Sequence, residues 1–228
     1  MPESFKCIAV ETATENCSIA VSNNNDLSVV QLSSPKESAS EVYVAIQKAI
    51  DDVQLSLDDL DCIAYGSGPG SFTGVRVAAG VAQGLAYSLG LPVCRVSTLA
   101  ALAYKAKTAS EYDYVAPCLV ARMGECYLGL YHCSIQDPVR VIKNDSLMTP
   151  EEIILDEAPP EGWLVAGSGW NAFPDLLDTN SSRIAEYLPD ISLDASAVLQ
   201  LAKCDFALGN TVTVFDAIPN YIRNKVTS

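Results

Sequence analysis

Three short runs rich in β-branched and small apolar residues open the chain: FKCIAVE (5–11), CSIAVS (17–22) and LSVVQL (27–32). The last two flank the turn cluster Asn23, Asn24, Asn25, Asp26, so the pattern predicts three consecutive antiparallel strands. The period then changes. In KESASEVYVAIQKAIDDVQ, Val42, Ala45, Ile46, Ala49 and Val53 recur at helical spacing and define one amphipathic helix. CIAYGSG (62–68) is a buried strand that ends in a glycine loop. The next helix runs from about Thr73 to Leu89 and stops at Gly90 and Pro92, a glycine and proline exit. PVCRVS (92–97) returns to strand, and TLAALAYKAK (98–107) to helix.

A βββαβαβ order predicts an α/β lobe with helices packed on a mixed sheet. The polar stretch TASEYDY (108–114) sets the expected lobe boundary, giving residues 1–110 and 111–228. Beyond it, YVAPCLVA (114–121), ECYLGLYHC (125–133) and VRVIKN (139–144) read as hairpin-joined strands. WLVAGSG (163–169) follows a polar, proline-containing stretch. LDASAVLQLAKCDFAL (193–208) reads as a helix with Asp194 as N-cap. The second lobe is expected to be a related α/β unit.

The helix after the glycine loop is unusual. Val75, Ala78, Ala79, Ala82, Leu85, Ala86 and Leu89 make a stripe wide enough to pack on a sheet, yet the opposite side offers only Val77, Gly80, Val81, Gly84 and Ser88. A surface helix has a polar outer side; one without it is covered twice. Small residues there admit a second helix at close range. Two sources of cover stay open: the chain's own second lobe, or a partner that docks on this helix together with Tyr43, Val44 and Ile50 of the preceding one.

With 228 residues, 49% apolar and 18% charged, the chain is globular, with room for one large domain or two small lobes. Its 28 acidic residues against 14 lysines and arginines give a net charge of -14, which disfavours stand-alone binding to DNA or RNA. Eight cysteines, with no C-x-x-C pair and mostly inside apolar runs, read as reduced buried thiols. No basic head with an apolar block begins the sequence, so a cytoplasmic location is expected. Residues 77–94 carry no charge, but Gly80, Gln83, Gly84, Gly90 and Pro92 dilute them too far for a membrane span.

Candidate chemistry is sparse. Gly68, Pro69, Gly70 and Ser71 lie between a strand and a helix, the context in which backbone N–H groups hold anions, but the P-loop lysine and the G-x-G-x-x-G fingerprint are both missing. A tight strand-to-helix connection explains the loop equally well. Glu11, Thr12 and Thr14 sit in the hairpin ETATENCS, where they could hold a metal-phosphate or simply form a turn. The sole histidine, His132, lies in a strand and reads as structural; no G-x-S-x-G is present for a serine hydrolase. ARMGE (121–125) sets Arg122 and Glu125 around a glycine, a hairpin turn with an exposed ion pair of little worth.

With these residues in view, the chain resembles the TsaB (YeaZ) family of the bacterial machinery that makes N6-threonylcarbamoyladenosine at position 37 of tRNA. The resemblance rests on IAVETATENCSIAV (8–21), GPGSFTGVRVAAGVAQGLAYSLGLPVCRVSTLAALA (68–103), ARMGECYLGLY (121–131), AGSGW (166–170) and PNYIRN (219–224). It implies a reduced two-lobed fold of the actin, Hsp70 and sugar-kinase class within the peptidase M22 group. The catalytic relative, TsaD, binds a metal through H-x-x-x-H; the comparable positions here are Thr98 and Leu102, which are poor transition-metal ligands. A histidine that some members carry at the first helix is replaced by Ser38, and Val120 stands where an Asp often precedes ARMGE.

The resemblance further implies a noncatalytic scaffold that binds TsaD, with the ATPase TsaE joining the pair, tRNA held only through the complex, and a homodimer when the chain is alone. The expected interface is Val42, Tyr43, Ile46, Ile50, Val77, Gly80, Val81 and Gly84. No catalytic residue, metal or required cofactor is expected, and weak ATP or ADP binding is expected at the interface with TsaD. Its candidate residues are Glu11, Thr12, Gly68, Gly70 and Ser71. The alternative is a small ATPase or phosphotransferase of the same fold using Glu11 and the Gly68–Ser71 loop.

Overall fold

The computed structural model describes residues 4–32, 39–134, 137–155 and 159–222. In chain order, the first strands are β1 (Lys6–Glu11), β2 (Ser18–Asn23) and β3 (Asp26–Gln31). They are followed by α1 (Ala39–Asp52), β4 (Cys62–Gly66), α2 (Phe72–Leu89), β5 (Val93–Val96) and α3 (Thr98–Thr108). Then come β6 (Tyr114–Val120), β7 (Cys126–His132), β8 (Arg140–Met148), β9 (Trp163–Ala166), α4 (Ser168–Ala172), α5 (Pro174–Asn180), β10 (Ile184–Leu188) and α6 (Ala195–Leu208).

The first sheet has the order β3-β2-β1-β4-β5, with β1, β2 and β3 antiparallel and β1, β4 and β5 parallel. The hairpin between β2 and β3 closes through Asn23 opposite Asp26, with Asn24 at φ 59°, a left-handed conformation that asparagine tolerates. Strand alternation divides the sheet. Ile8, Val10, Ile19, Val21, Ile63 and Tyr65 share a core with α1 and α2. Cys7, Ala9, Ala20, Cys62, Ala64 and Cys94 alternate with them and are buried. α6 lies against β1, β2, β4 and β5, and the Cys94 thiol reaches the Ala202 carbonyl at 3.7 Å. Small residues on that face let the helix approach closely.

The second sheet, β10-β9-β6-β7-β8, repeats this plan: β6, β7 and β8 are antiparallel, and β6, β9 and β10 run parallel. Reading β6 to β10 as the first to fifth strands reproduces the order of the first sheet. The α/β class and the related second lobe are therefore as expected, and the duplicated mixed sheet is what the resemblance to the actin and sugar-kinase class implies. The division differs from 1–110 and 111–228. One unit is Met1–Thr98 with Leu193–Asn220, the other Leu99–Ser192 with Tyr221–Ser228. The reason is packing. Leu99, Ala103 and Ala106 of α3 share a core with Val115, Tyr131 and Leu164, while α6 returns to the first sheet, where the Ala195 N–H donates to Ser18 Oγ at 2.8 Å.

Local signals set the helix ends. Ser71 caps α2, accepting the Gly74 N–H at 3.4 Å, and Gly90 ends it at φ 69° with its N–H on the Ala86 carbonyl. Asp194 caps α6 as expected, accepting from Ser196, and Gly209 closes that helix at φ 74°. All eight cysteines are free thiols and seven are buried. Burial pushes the Cys133 thiol up to about 12, and Cys62 and Cys94 are also raised, chiefly by their thiol-to-thiol hydrogen bonds. These thiols are inert by the physics of desolvation. Among the described residues, no helix is long and apolar enough to cross a membrane.

Candidate docking face and glycine loop

The helix α2 presents two different sets of glycines. At its N-terminal loop, Gly66, Gly70 and Gly74 meet the β1–β2 hairpin: a Cβ added at these positions would overlap the Glu11 carboxylate, the Ala13 carbonyl and the Thr12 carbonyl, respectively. The Ser71 N–H donates to the Ala13 carbonyl at 2.8 Å, and Thr12 Oγ1 donates to the Gly74 carbonyl at 2.7 Å. Gly68, at φ 100°, donates its N–H to Thr98 Oγ1 at 3.2 Å and receives the Thr98 N–H on its carbonyl at 2.9 Å. The loop is held from both sides by its own unit.

Of the anion-site candidates, Glu11, Thr12 and Gly68 are thus buried, Gly70 is half-buried and Ser71 is exposed. The structure brings them together, but as a packed connection whose N–H groups at Gly68, Ser71 and Gly74 already have internal acceptors. Glu11 Oε1 accepts the Ala13 N–H at 2.6 Å, whereas Oε2 is buried without a hydrogen-bond partner, facing Gly66. Burial raises this carboxyl from 4.5 to about 7, against the opposing pull of the Ala13 and Thr14 backbone donors. Thr98 and Leu102 are both buried.

The same arrangement recurs in the second unit. Gly167, Ser168 and Gly169 follow β9 as Gly66, Ser67 and Gly68 end β4. A Cβ on Gly167 or Gly169 would overlap Cys118, and Trp170 Nε1 donates to the Ala116 carbonyl at 2.9 Å. The 122–125 stretch forms the expected turn between β6 and β7, with Met123 at φ 65° and exposed. His132 is half-buried with its ring edge-on to Tyr114 at 4.8 Å. Val120 ends β6, exposed, its N–H on Ser168 Oγ. Ser38 and Asn224 lie outside the described residues.

Further along α2 the glycines are open. A Cβ at Gly80 would meet nothing within 4 Å, and one at Gly84 only the Tyr43 hydroxyl at 3.5 Å. Thr73, Gly80, Gly84, Tyr87 and Ser88 are exposed and Val77 is half-buried, so one side of α2 is a shallow, uncharged channel. Arg76, stacked over the Phe72 ring at 3.7 Å, is the charge at its N-terminal edge. On α1, Tyr43 is 47% and Val44 70% exposed, and Tyr43 leans over Gly84 to join the two helices into one face.

Four residues expected on that face belong elsewhere. Val42, Ile46, Ile50 and Val81 are at most 5% exposed and lie in the core that α1 and α2 share over the sheet. Spacing explains this: Ile46 and Ile50 follow Val42 at steps of four, which keeps them on the sheet side of α1, and Val81 falls beside Ala78 and Leu85. Tyr43, Val77, Gly80 and Gly84 remain on the outer side. Sequence reasoning missed Tyr87, which is 72% exposed on α2 and extends the face. Its period of seven from Gly80 was the available signal.

Two α/β units of identical strand order, with the strand-to-helix loops filled by protein, define a class, and the comparisons agree with it. The chain matches the family model described as "TsaD: tRNA N6-adenosine threonylcarbamoyltransferase" over residues 32–216. It superposes on YeaZ from Pseudomonas aeruginosa with a TM-score of 0.86 at 32% identity, covering 95% of this chain and 99% of that one. A second Pseudomonas aeruginosa structure, with similarity to peptidase YeaZ, gives a TM-score of 0.87 at 32% identity, over 96% and 100% of the two chains. The tRNA threonylcarbamoyladenosine biosynthesis protein TsaB of Escherichia coli is 34% identical over 97% of this chain and 96% of that one, and that of Haemophilus influenzae 29% over 99% and 96%. The chain belongs to the TsaB family.

Proposed function

We propose that this chain works in tRNA threonylcarbamoyladenosine biosynthesis as a noncatalytic subunit, and that it docks a TsaD-type partner on the outer face of α1 and α2. The carrying observation is the open pair Gly80 and Gly84 beside the exposed Tyr43 and Val44. A glycine inside an exposed helix costs about 1 kcal/mol relative to alanine, so two of them four residues apart call for something that comes closer than a Cβ allows. A partner helix crossing that channel is such a thing. The free chain covers the same face by forming a homodimer.

The subunit acts by holding its partner in a competent arrangement. Shifting a partner from 1:99 to 99:1 takes about 5.5 kcal/mol of differential binding, which an interface of roughly 1,600 Å² can supply. TsaE joins the assembled pair, and the net charge of -14 leaves tRNA to the other subunits. No cofactor is required of this chain, and weak ATP or ADP binding belongs to the interface with the partner.

Gly80→Glu tests this directly. The new side chain has open space in the isolated chain and blocks the channel to a partner. Sedimentation velocity should show both the homodimer and the TsaD complex lost, while far-UV circular dichroism of the isolated chain stays that of the parent, showing that it still folds. Survival of both assemblies would refute docking at this face. The phosphotransferase alternative predicts calorimetric heat with Mg-ATP that disappears in Glu11→Ala.

A further inference from the structure

A cavity of about 350 Å³ lies along the edge strand β5, from the residues that follow β4 and β5 to Val212, which pairs with Val93 at the start of β5; its polar lining is Ser67, Arg95, Ser97, Asp205, Asn210 and Asn220. The cavity shares no residue with the outer face of α1 and α2, and neither the glycine loop nor the docking face accounts for its two charges. Arg95 donates through Nη1 to the Asp216 carbonyl at 3.3 Å and is also hydrogen-bonded to the Tyr65 hydroxyl. Its Nε is buried with no partner among the described residues. A guanidinium has five donors, so part of this group's capacity is left for a ligand.

Asp205 stands in the last turn of α6, where the helix dipole opposes an acid. Desolvation opposes it too, raising its carboxyl above the usual range, and its side-chain bond is a long one, from Asn210 Nδ2 at 3.5 Å. Both charged side chains line the cavity without pairing with each other among the described residues. Ser67 Oγ donates to the Val96 carbonyl at 3.0 Å and keeps its acceptor capacity.

We propose that this cavity binds a small zwitterion of the α-amino acid class, with its carboxylate on Arg95 and its ammonium on Asp205. The charge pattern selects against simpler ligands. An inorganic anion on Arg95 would face the Asp205 carboxylate, and a plain amine on Asp205 would face the guanidinium. A ligand carrying both charges satisfies both walls.

The test is a calorimetric and thermal-melt titration of the full chain with the free proteinogenic amino acids at millimolar concentration. N-acetyl and methyl-ester derivatives and inorganic phosphate serve as the comparison arms. At least one free amino acid should bind and raise the melting temperature, and blocking either end should weaken it at least about tenfold, as expected for loss of a charged hydrogen bond. Asp205→Asn should weaken the free amino acid similarly. The derivative arms need no variant, so they decide the matter even if Asp205→Asn does not fold. No response to any free amino acid, equal binding of a blocked form, or tighter binding of phosphate would each overturn the proposal.

Discussion

Replacing Glu11 by glutamine should remove a pH dependence that the structure writes into the fold. The carboxyl is completely buried; one oxygen takes the Ala13 N–H at 2.6 Å and the other has no partner. Burial lifts it from 4.5 to about 7. A group whose folded value lies above its unfolded one binds more protons in the native state across that interval. Stability therefore falls as pH rises through 4.5 to about 7 and levels off above it. At 1.36 kcal/mol per pH unit, the interval amounts to about 3 kcal/mol. Glutamine keeps the acceptor for Ala13 and carries no charge. Urea unfolding of both proteins at pH 4.5 and pH 8 isolates the effect from every other carboxylate. Glu11→Gln should match the parent near the lower pH and exceed it at the higher one by up to about 3 kcal/mol. An advantage that is the same at both pH values would refute the reasoning.

Other substitutions separate packing from docking. Gly80→Ala should raise stability by up to about 1 kcal/mol, because the position is open and helical, and Val81→Lys one residue later should cost several times as much by burying a charge in the α1–α2 core. Differential melting of the two decides it. Gly74→Ala should destabilise by more than about 2 kcal/mol, since its Cβ would overlap the Thr12 backbone, and chemical unfolding will show it. Asn180 is fully buried and bonds the Leu155 N–H and the Ile153 and Leu176 carbonyls at 2.8, 3.0 and 2.9 Å. Asn180→Ala strands all three groups and should cost about 3 kcal/mol or more by denaturant titration.

The fold was legible where local chemistry decides it. Gly90 ends α2, the asparagine turn closes β2 onto β3, and Asp194 caps α6. Legibility ended where distant contacts decide. Nothing near Ala195 announces that its N–H is bound to Ser18, 177 positions away, so α6 was assigned to the wrong unit. Likewise α3 follows β5 after one residue yet packs with β6 and β9 through Leu99 and Ala103. The elements α4, α5 and β10 left little trace: two are helices of 5 and 7 residues, and β10 is a half-buried strand, IAEYL, with a glutamate at its centre. Such segments lack the length over which a period can be read.

For the candidate site, periodicity found the right helices but set the wrong arc. A strip of apolar residues shows that a helix has two covered sides, but not where its neighbour's cover stops, so Val42, Ile46, Ile50 and Val81 were counted outside although the shared core encloses them. The glycines make the same point more sharply. Between Gly66 and Gly84 the sequence offers one glycine-rich run, and composition treats its members alike. The structure divides them by what surrounds the missing Cβ: backbone or carboxylate at Gly66, Gly70 and Gly74, open space at Gly80, and only the Tyr43 hydroxyl near Gly84. The first group is explained within the chain, because any side chain there would push the β1–β2 hairpin away. The second group has no such internal reason, and on intrinsic propensity alone alanine would serve better at both positions. That contrast, open space at Gly80 against filled space at Gly74 on the same helix, is the ground on which the proposed docking at the outer side of α2 rests.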